Sequence, residues 1–350
     1  MNKKQRNIII ILFFSTIGLF FLSSALGAVK IDFRSLISVL VKPLGIEWFS
    51  HTKEQYLIFW VIRLPRLVLG LIVGGILALT GAAMQGLFRN PLADPSIIGI
   101  AGGGAMMAAL FIVLGGGLLF QWLPIAGEVG LTVFTFIGAL LTTILVFTLS
   151  LNRGKADVAT MLLAGIAINA LAGAVTGFLT FLANDEQLRD LTFWTLGSLG
   201  GATWQKVWIT LSINMLPIYL FLKQAKKLNA LALGEAEAGH IGINVNVLKR
   251  TIVICTAISM GTVVAFCGII GFVGLVVPHI LRTLAGANHY YILLGSFLGG
   301  MLLLGLSDLL ARTLAAPAEL PIGIITAVAS APVFLSLLVR QKMKLKHQSI

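Results

Sequence analysis

Long apolar runs and short polar breaks alternate along the whole chain. The run IIIILFFSTIGLFFL opens the series near the amino terminus, and others like it recur to the carboxyl end. A helix of ~20 such residues spans a hydrocarbon core of ~30 Å. The runs are continuous, whereas strands of a transmembrane barrel alternate apolar and polar positions over about 10 residues. The pattern therefore predicts an all-α polytopic membrane protein with about ten crossings. They are placed at 8–28, 64–87, 97–114, 130–149, 158–183, 207–222, 251–270, 272–286, 292–311 and 322–339. The eighth carries the weakest signal, being short and interrupted by Pro278, with His279 and Arg282 following.

No water-soluble domain fits between these runs, so residues 1–350 are read as one transmembrane domain. The longest hydrophilic stretches are 29–60 and 223–250. Composition sharpens the class: 58% of residues are hydrophobic, 11% are charged and the mean hydropathy is +0.99. A soluble chain carries about 25% charged residues. The net charge of +12 does not point to nucleic acid, because basic loops set membrane orientation. With the amino terminus inside, sixteen of the 25 Lys and Arg residues lie on cytoplasmic segments. That bias predicts both termini in the cytoplasm. MNKKQRN, an apolar run and SSALGA also resemble a signal peptide, but the first helix is expected to be retained.

Chemistry is sparse. No GxxxxGK[ST] loop, HExxH or Ser/His/Asp set is present, so no catalytic residue, cofactor or metal ligand is expected. Cys255 and Cys267 share one apolar run and read as helix-packing residues. Energy must come from a partner chain or an ion gradient. Small residues cluster inside the crossings, as in GLIVGGILALTGAAMQG at 70–86 and GSFLGG at 295–300, where they let helix backbones approach closely.

Four polar stretches stand out. RLPR at 63–66 opens the second crossing, where its arginines either snorkel or dock an acidic partner. FRNPLADP at 88–95 is a proline-stiffened elbow or a gate, with Asn90 and Asp94 able to pin the turn. SDLLART at 307–313 sets Asp308 and Arg312 four apart on one helix face, an ion pair or a proton relay. LALGEAEAGHIGINV at 231–245 is short and amphipathic, between basic flanks and two crossings. Its acidic residues disfavour an anionic lipid surface, so a groove on a partner protein suits it better.

The chain resembles the FecCD family of ABC importer permeases, which carry iron(III)-siderophores, haem and vitamin B12. The likeness lies in residues 62–100, MLLAGIAINA at 161–170, TFWTLGSLGG at 192–201, LALGEAEAGHIGIN at 231–244, GIIGFVGLVVPHILR at 268–282 and residues 307–338, in family order. It implies a type II importer permease fold in a bacterial plasma membrane. It also implies two ATPase subunits inside, a substrate-binding protein outside, a second permease copy or paralogue, and lipid around the whole. By this likeness Arg63, Arg66 and Arg312 dock the binding protein. Asn90, Leu92, Val158 and Ala159 form the cytoplasmic gate. Leu233, Gly234, Glu235, Ala238 and Gly242, within a coupling segment at about 228–247, meet the ATPase. The fifth and tenth crossings line the path and the dimer interface. GANHYY at 286–291 and Gly239-His240 depart from the family pattern on the ATPase side. Iron(III)-siderophore is the first expectation for the cargo, with haem and cobalamin beside it. A gradient-driven secondary transporter is the rival class.

Overall fold

A computed structural model describes residues 1–27, 32–42, 52–115, 127–152, 154–316 and 318–333. Helix α1 (Lys3–Ala25) starts on an Asn2–Gln5 capping box. Two short helices follow, α2 (Phe33–Val41) and α3 (Lys53–Leu57). A wide π-helical stretch, Ile58–Arg63, joins α3 to α4 (Leu64–Phe88). Beyond it come α5 (Ile100–Leu114), α6 (Glu128–Leu149), α7 (Val158–Leu182), α8 (Asp185–Leu196) and α9 (Trp204–Lys223). The chain closes with α10 (Ala225–Leu231), α11 (Glu235–His240), α12 (Val245–Cys267), α13 (Val273–Ala285), α14 (His289–Thr313) and α15 (Ile322–Val333). A two-residue hairpin pairs Leu151 with Ala156 and Asn152 with Lys155 between α6 and α7.

The fold is all-α and polytopic. Six described helical segments are long and apolar enough to cross a membrane alone: Lys3–Ala25, Lys53–Phe88, Glu128–Leu149, Val158–Leu182, Val245–Cys267 and His289–Thr313. Helices α5, α13 and α15 are apolar but shorter. The eighth expected crossing is a helix, α13, with Pro278 inside it. Residues 334–339 of the last expected crossing lie outside the described residues. Between the fifth and sixth, a polar helix, α8, occupies what the sequence pattern gives as a connecting stretch. It begins on an Asn184–Gln187 capping box.

Helix α4 is the axis of the packing. In its most apolar window, 89% of residues are buried, against α14, α13, α12 and α9. Pro65 sits in its first turn, where the missing N–H is harmless. The closest approach is to α14. A Cβ on Gly74 would run into the Gly300 carbonyl oxygen, and one on Gly300 into that of Gly74. Only glycine at both positions allows the two backbones to touch. Cys255 and Cys267 are free and buried within this packing. By contrast, only 17% of the corresponding window of α7 is buried.

The elbow after α4 differs from the sequence expectation. The helix of the third expected crossing, α5, begins at Ile100, not 97, and a 3-10 turn at Pro95–Ile98 precedes it. That turn sits deep in the molecule. The Asn169 side chain donates to Ser96 O at 3.0 Å, eleven residues and so about 16 Å along α7 from Val158. Irregular backbone at such depth is tolerated because protein surrounds it and its polar groups are bonded.

Candidate functional site

Two ends of the molecule hold its polar chemistry. At one end the α1 terminus, the α4 start, the α14 end and the 318–321 stretch come together. Arg63 is buried and donates from Nη1 to Ser24 O at 3.0 Å. Arg66 is also buried, with Nε donating to Asp308 Oδ1 at 2.9 Å and Nη1 to Glu319 Oε1 at 2.7 Å. Arg312 Nε lies 3.0 Å from Asp308 Oδ2, and its Nη2 donates to Ser23 Oγ at 2.6 Å. Asp308 and Arg312 thus form the helix-face ion pair that their spacing allows. Asp308 also joins Arg66, 242 residues away in sequence. The structure gathers the three predicted arginines in one place and bonds all three within the chain. Glu319 alone in the cluster keeps its side chain 49% exposed.

At the other end lie the elbow, the hairpin of Leu151–Asn152 with Lys155–Ala156, and the predicted coupling segment. Arg89 closes α4 in the left-handed region at φ 50°. Asn90 Oδ1 accepts from Leu92 N at 2.9 Å, an Asx turn that fixes the elbow. Asp94 caps the 3-10 turn, accepting from Ser96 N at 2.8 Å. Asn90 and Leu92 are exposed on this corner. Val158 is half-buried and Ala159 exposed on the first turn of α7. Asp157 caps that turn through Thr160 N at 2.7 Å. Its bonds to Thr160 hold the Asp157 carboxyl below the ordinary range. The two predicted gate pairs therefore belong to elements that pack together, at Ser96–Asn169 and where Gly165 leaves room for Ile97 O.

The predicted coupling segment is two short helices at a corner. Leu228, Leu231 and Ala238 turn inward and are buried, Ala238 completely. Leu233 and Ile241 turn outward at 76% and 66% exposure. Gly234 at φ 136° and Gly242 at φ 83° make the bends on either side of α11, where a side chain would be strained. Of the predicted ATPase contacts, Leu233, Glu235 and Gly242 face out or keep an exposed edge, and Ala238 supports the corner from within. Glu235 grips Lys249 Nζ with both oxygens, at 2.7 and 2.8 Å. Asn229 on α10 accepts from His289 N at 2.8 Å, tying the corner to α14. Ile241 and Lys249 are absent from the sequence-predicted set. An amphipathic count signals Ile241, but Lys249 lies inside a helix start where a cation reads as a flank. Among the described residues no cluster of His, Cys, Asp and Glu could hold a metal ion.

The FecCD transport family matches residues 12–340. The chain belongs to that family. This FecCD permease is 43% identical over 321 residues to the hemin transport system permease HmuU of Yersinia pestis, covering 91% of each chain. It is 38% identical over 297 residues to the vitamin B12 import system permease BtuC of Citrobacter koseri, covering 85% and 86%. Among solved structures, a metal-chelate type ABC transporter in an inward-facing conformation superposes at TM-score 0.83 and 29% identity. That match covers 96% of this FecCD permease and 99% of the other chain.

Proposed function

We propose that this FecCD permease is the membrane subunit of an ATP-driven importer of a metal-chelate macrocycle, with hemin as its first cargo. The observation that carries this is the 43% identity with a hemin permease over nine-tenths of both chains. The sequence alone put iron(III)-siderophore first. The hemin relative moves haem ahead of it, and the vitamin B12 relatives keep cobalamin in the same chemical class.

In this reading two permease subunits pair in a bacterial plasma membrane with both termini inside. The underpacked α7 faces the pathway and the second subunit. The Leu233–Ile241 corner docks on an ATPase, one per permease. The arginine end receives the binding protein, whose carboxylates reach Arg63, Arg66 and Arg312. Glu319, half exposed on Arg66, is the group such a carboxylate would exchange with. The cycle alternates access: docking outside, ATP-driven closure inside, displacement of the corner, and reopening of the Asn90–Leu92 and Val158–Ala159 gate. The chain is a conduit and lever, and hydrolysis belongs to the partner.

The test is reconstitution in liposomes with a cognate ATPase and binding protein. Uptake of hemin, cyanocobalamin and a ferric hydroxamate siderophore is then compared with ATP inside. ATP-dependent hemin uptake is the expected result. Siderophore uptake without hemin uptake overturns the cargo assignment. Uptake that a protonophore abolishes and that needs no ATPase overturns the importer reading.

A further inference from the structure

Lys249 is a buried cation with two unlike anchors. It stands in the second turn of α12 and is 3% exposed. Its ammonium donates to both carboxylate oxygens of Glu235, in the first turn of α11. It also donates to Ala156 O at 2.7 Å, on the far strand of the hairpin. Ala156 is itself buried and directly precedes Asp157, the cap of α7, with Val158 and Ala159 next. A single side chain therefore joins the outward corner of the coupling segment to the backbone that opens the gate helix.

The chemistry makes this joint stiff. A buried ammonium that loses one anchor is left with an unsatisfied donor and a poorly compensated charge, a much larger penalty than losing a surface pair. When α11 shifts, the Glu235–Lys249–Ala156 unit moves as one piece or breaks at high cost. The hairpin has little to resist with: it is two residues per strand, and its neighbour bond is Asp157 N to Ser150 O at 3.0 Å. The start of α7 is also lightly packed, with Asp157, Ala159 and Thr160 exposed.

We propose that Lys249 is a positioning residue that transmits displacement of α11 to the first turn of α7, and so couples the ATPase-facing corner to the gate. The inference rests on the coupling role given to α11 above. Lys249 touches neither cargo nor ATPase in this scheme; it acts through the hairpin.

The experiment places a cysteine at the exposed Ala159 and measures its maleimide-labelling rate in the assembled transporter, nucleotide-free and with ADP–vanadate. Cys255 and Cys267 are buried, and the transporter without the new cysteine gives their background. The parent is expected to change rate about fivefold or more between the two states, the range of ordinary allosteric coupling. Lys249→Met is expected to flatten that change while the ATPase still co-purifies and hydrolyses ATP, and Lys249→Arg to restore part of it. A purely structural lysine would alter melting temperature and yield without removing the nucleotide dependence. An unchanged response in Lys249→Met overturns the proposal and leaves the coupling role of α11 standing. A parent with no nucleotide response removes both. Should Lys249→Met fail to assemble, Lys249→Gln, which keeps a donor but loses the charge that holds Glu235, serves in its place. An attenuated response supports the strut, and a full one overturns it.

Discussion

Arg66 shows what one residue contributes at the arginine end. Its guanidinium bridges Asp308, 5% exposed, and Glu319, 49% exposed. The two carboxylates should therefore behave differently. Arg66→Met leaves Asp308 with Arg312 alone, and breaking a buried pair costs roughly 3–5 kcal/mol. The expected result is a clear drop in the detergent melting temperature. Glu319→Gln removes a partly solvated partner, and such a pair is worth about 0–1 kcal/mol. That variant should melt close to the parent, while its affinity for the binding protein changes because Arg66 is less occupied. Surface plasmon resonance on nanodisc-embedded transporter measures the second effect. Part of this was legible in the sequence. RLPR marked the cations, and the four-residue spacing marked Asp308–Arg312. The Arg66–Asp308 bond was not legible, because it joins helices far apart in sequence and no local pattern encodes such a contact.

At the scale of elements, glycine placement decides how closely helices meet. Gly300→Val puts a branched side chain against the Gly74 carbonyl, and overpacking of this kind costs about 1–3 kcal/mol or more when backbone must move. Lower yield and a lower melting temperature are expected, whereas Gly239→Ala, in open space on α11, should be neutral. Fluorescence-detected gel filtration separates the two. The crossings were readable because lipid demands long apolar runs, and the starts and ends of α4, α6 and α14 fall within a few residues of their predicted places. Helix α8 was hidden by its polar sequence, which periodicity assigns to a connection. The depth of the elbow was hidden too. NPLADP announces a turn, but only the partners on α7 bring that turn into the apolar layer. Within the coupling segment, alternation predicted one apolar ridge, and the bends at Gly234 and Gly242 split it into buried and exposed sets.

For the whole molecule, the uneven burial of the helices separates an enclosed body from an exposed apolar face. Helices α4, α12 and α14 are enclosed, while α7 presents Leu163, Ile166, Leu171, Phe178 and Phe181, the last 84% exposed. With a second permease on that face, Leu171→Arg should shift the detergent-solubilised complex toward single permease subunits, read by native mass spectrometry. An unchanged dimer would place the interface elsewhere.

The burial of α4 also sets a schedule. Its neighbours α12, α13 and α14 are all encoded long after it, so the helix emerges before the surfaces that enclose it exist. At about 5–20 residues per second, the ribosome needs roughly 10–40 s to travel from Phe88 to His289. Throughout that interval the small-residue face of α4, cut to fit Gly300, has lipid or an insertion chaperone as its neighbour. A nascent chain arrested before α12 should therefore be a preferred target of membrane quality-control proteolysis, and one arrested after α14 should survive a pulse-chase. The order in which this protein is made is thus the reverse of the order in which its centre becomes secure.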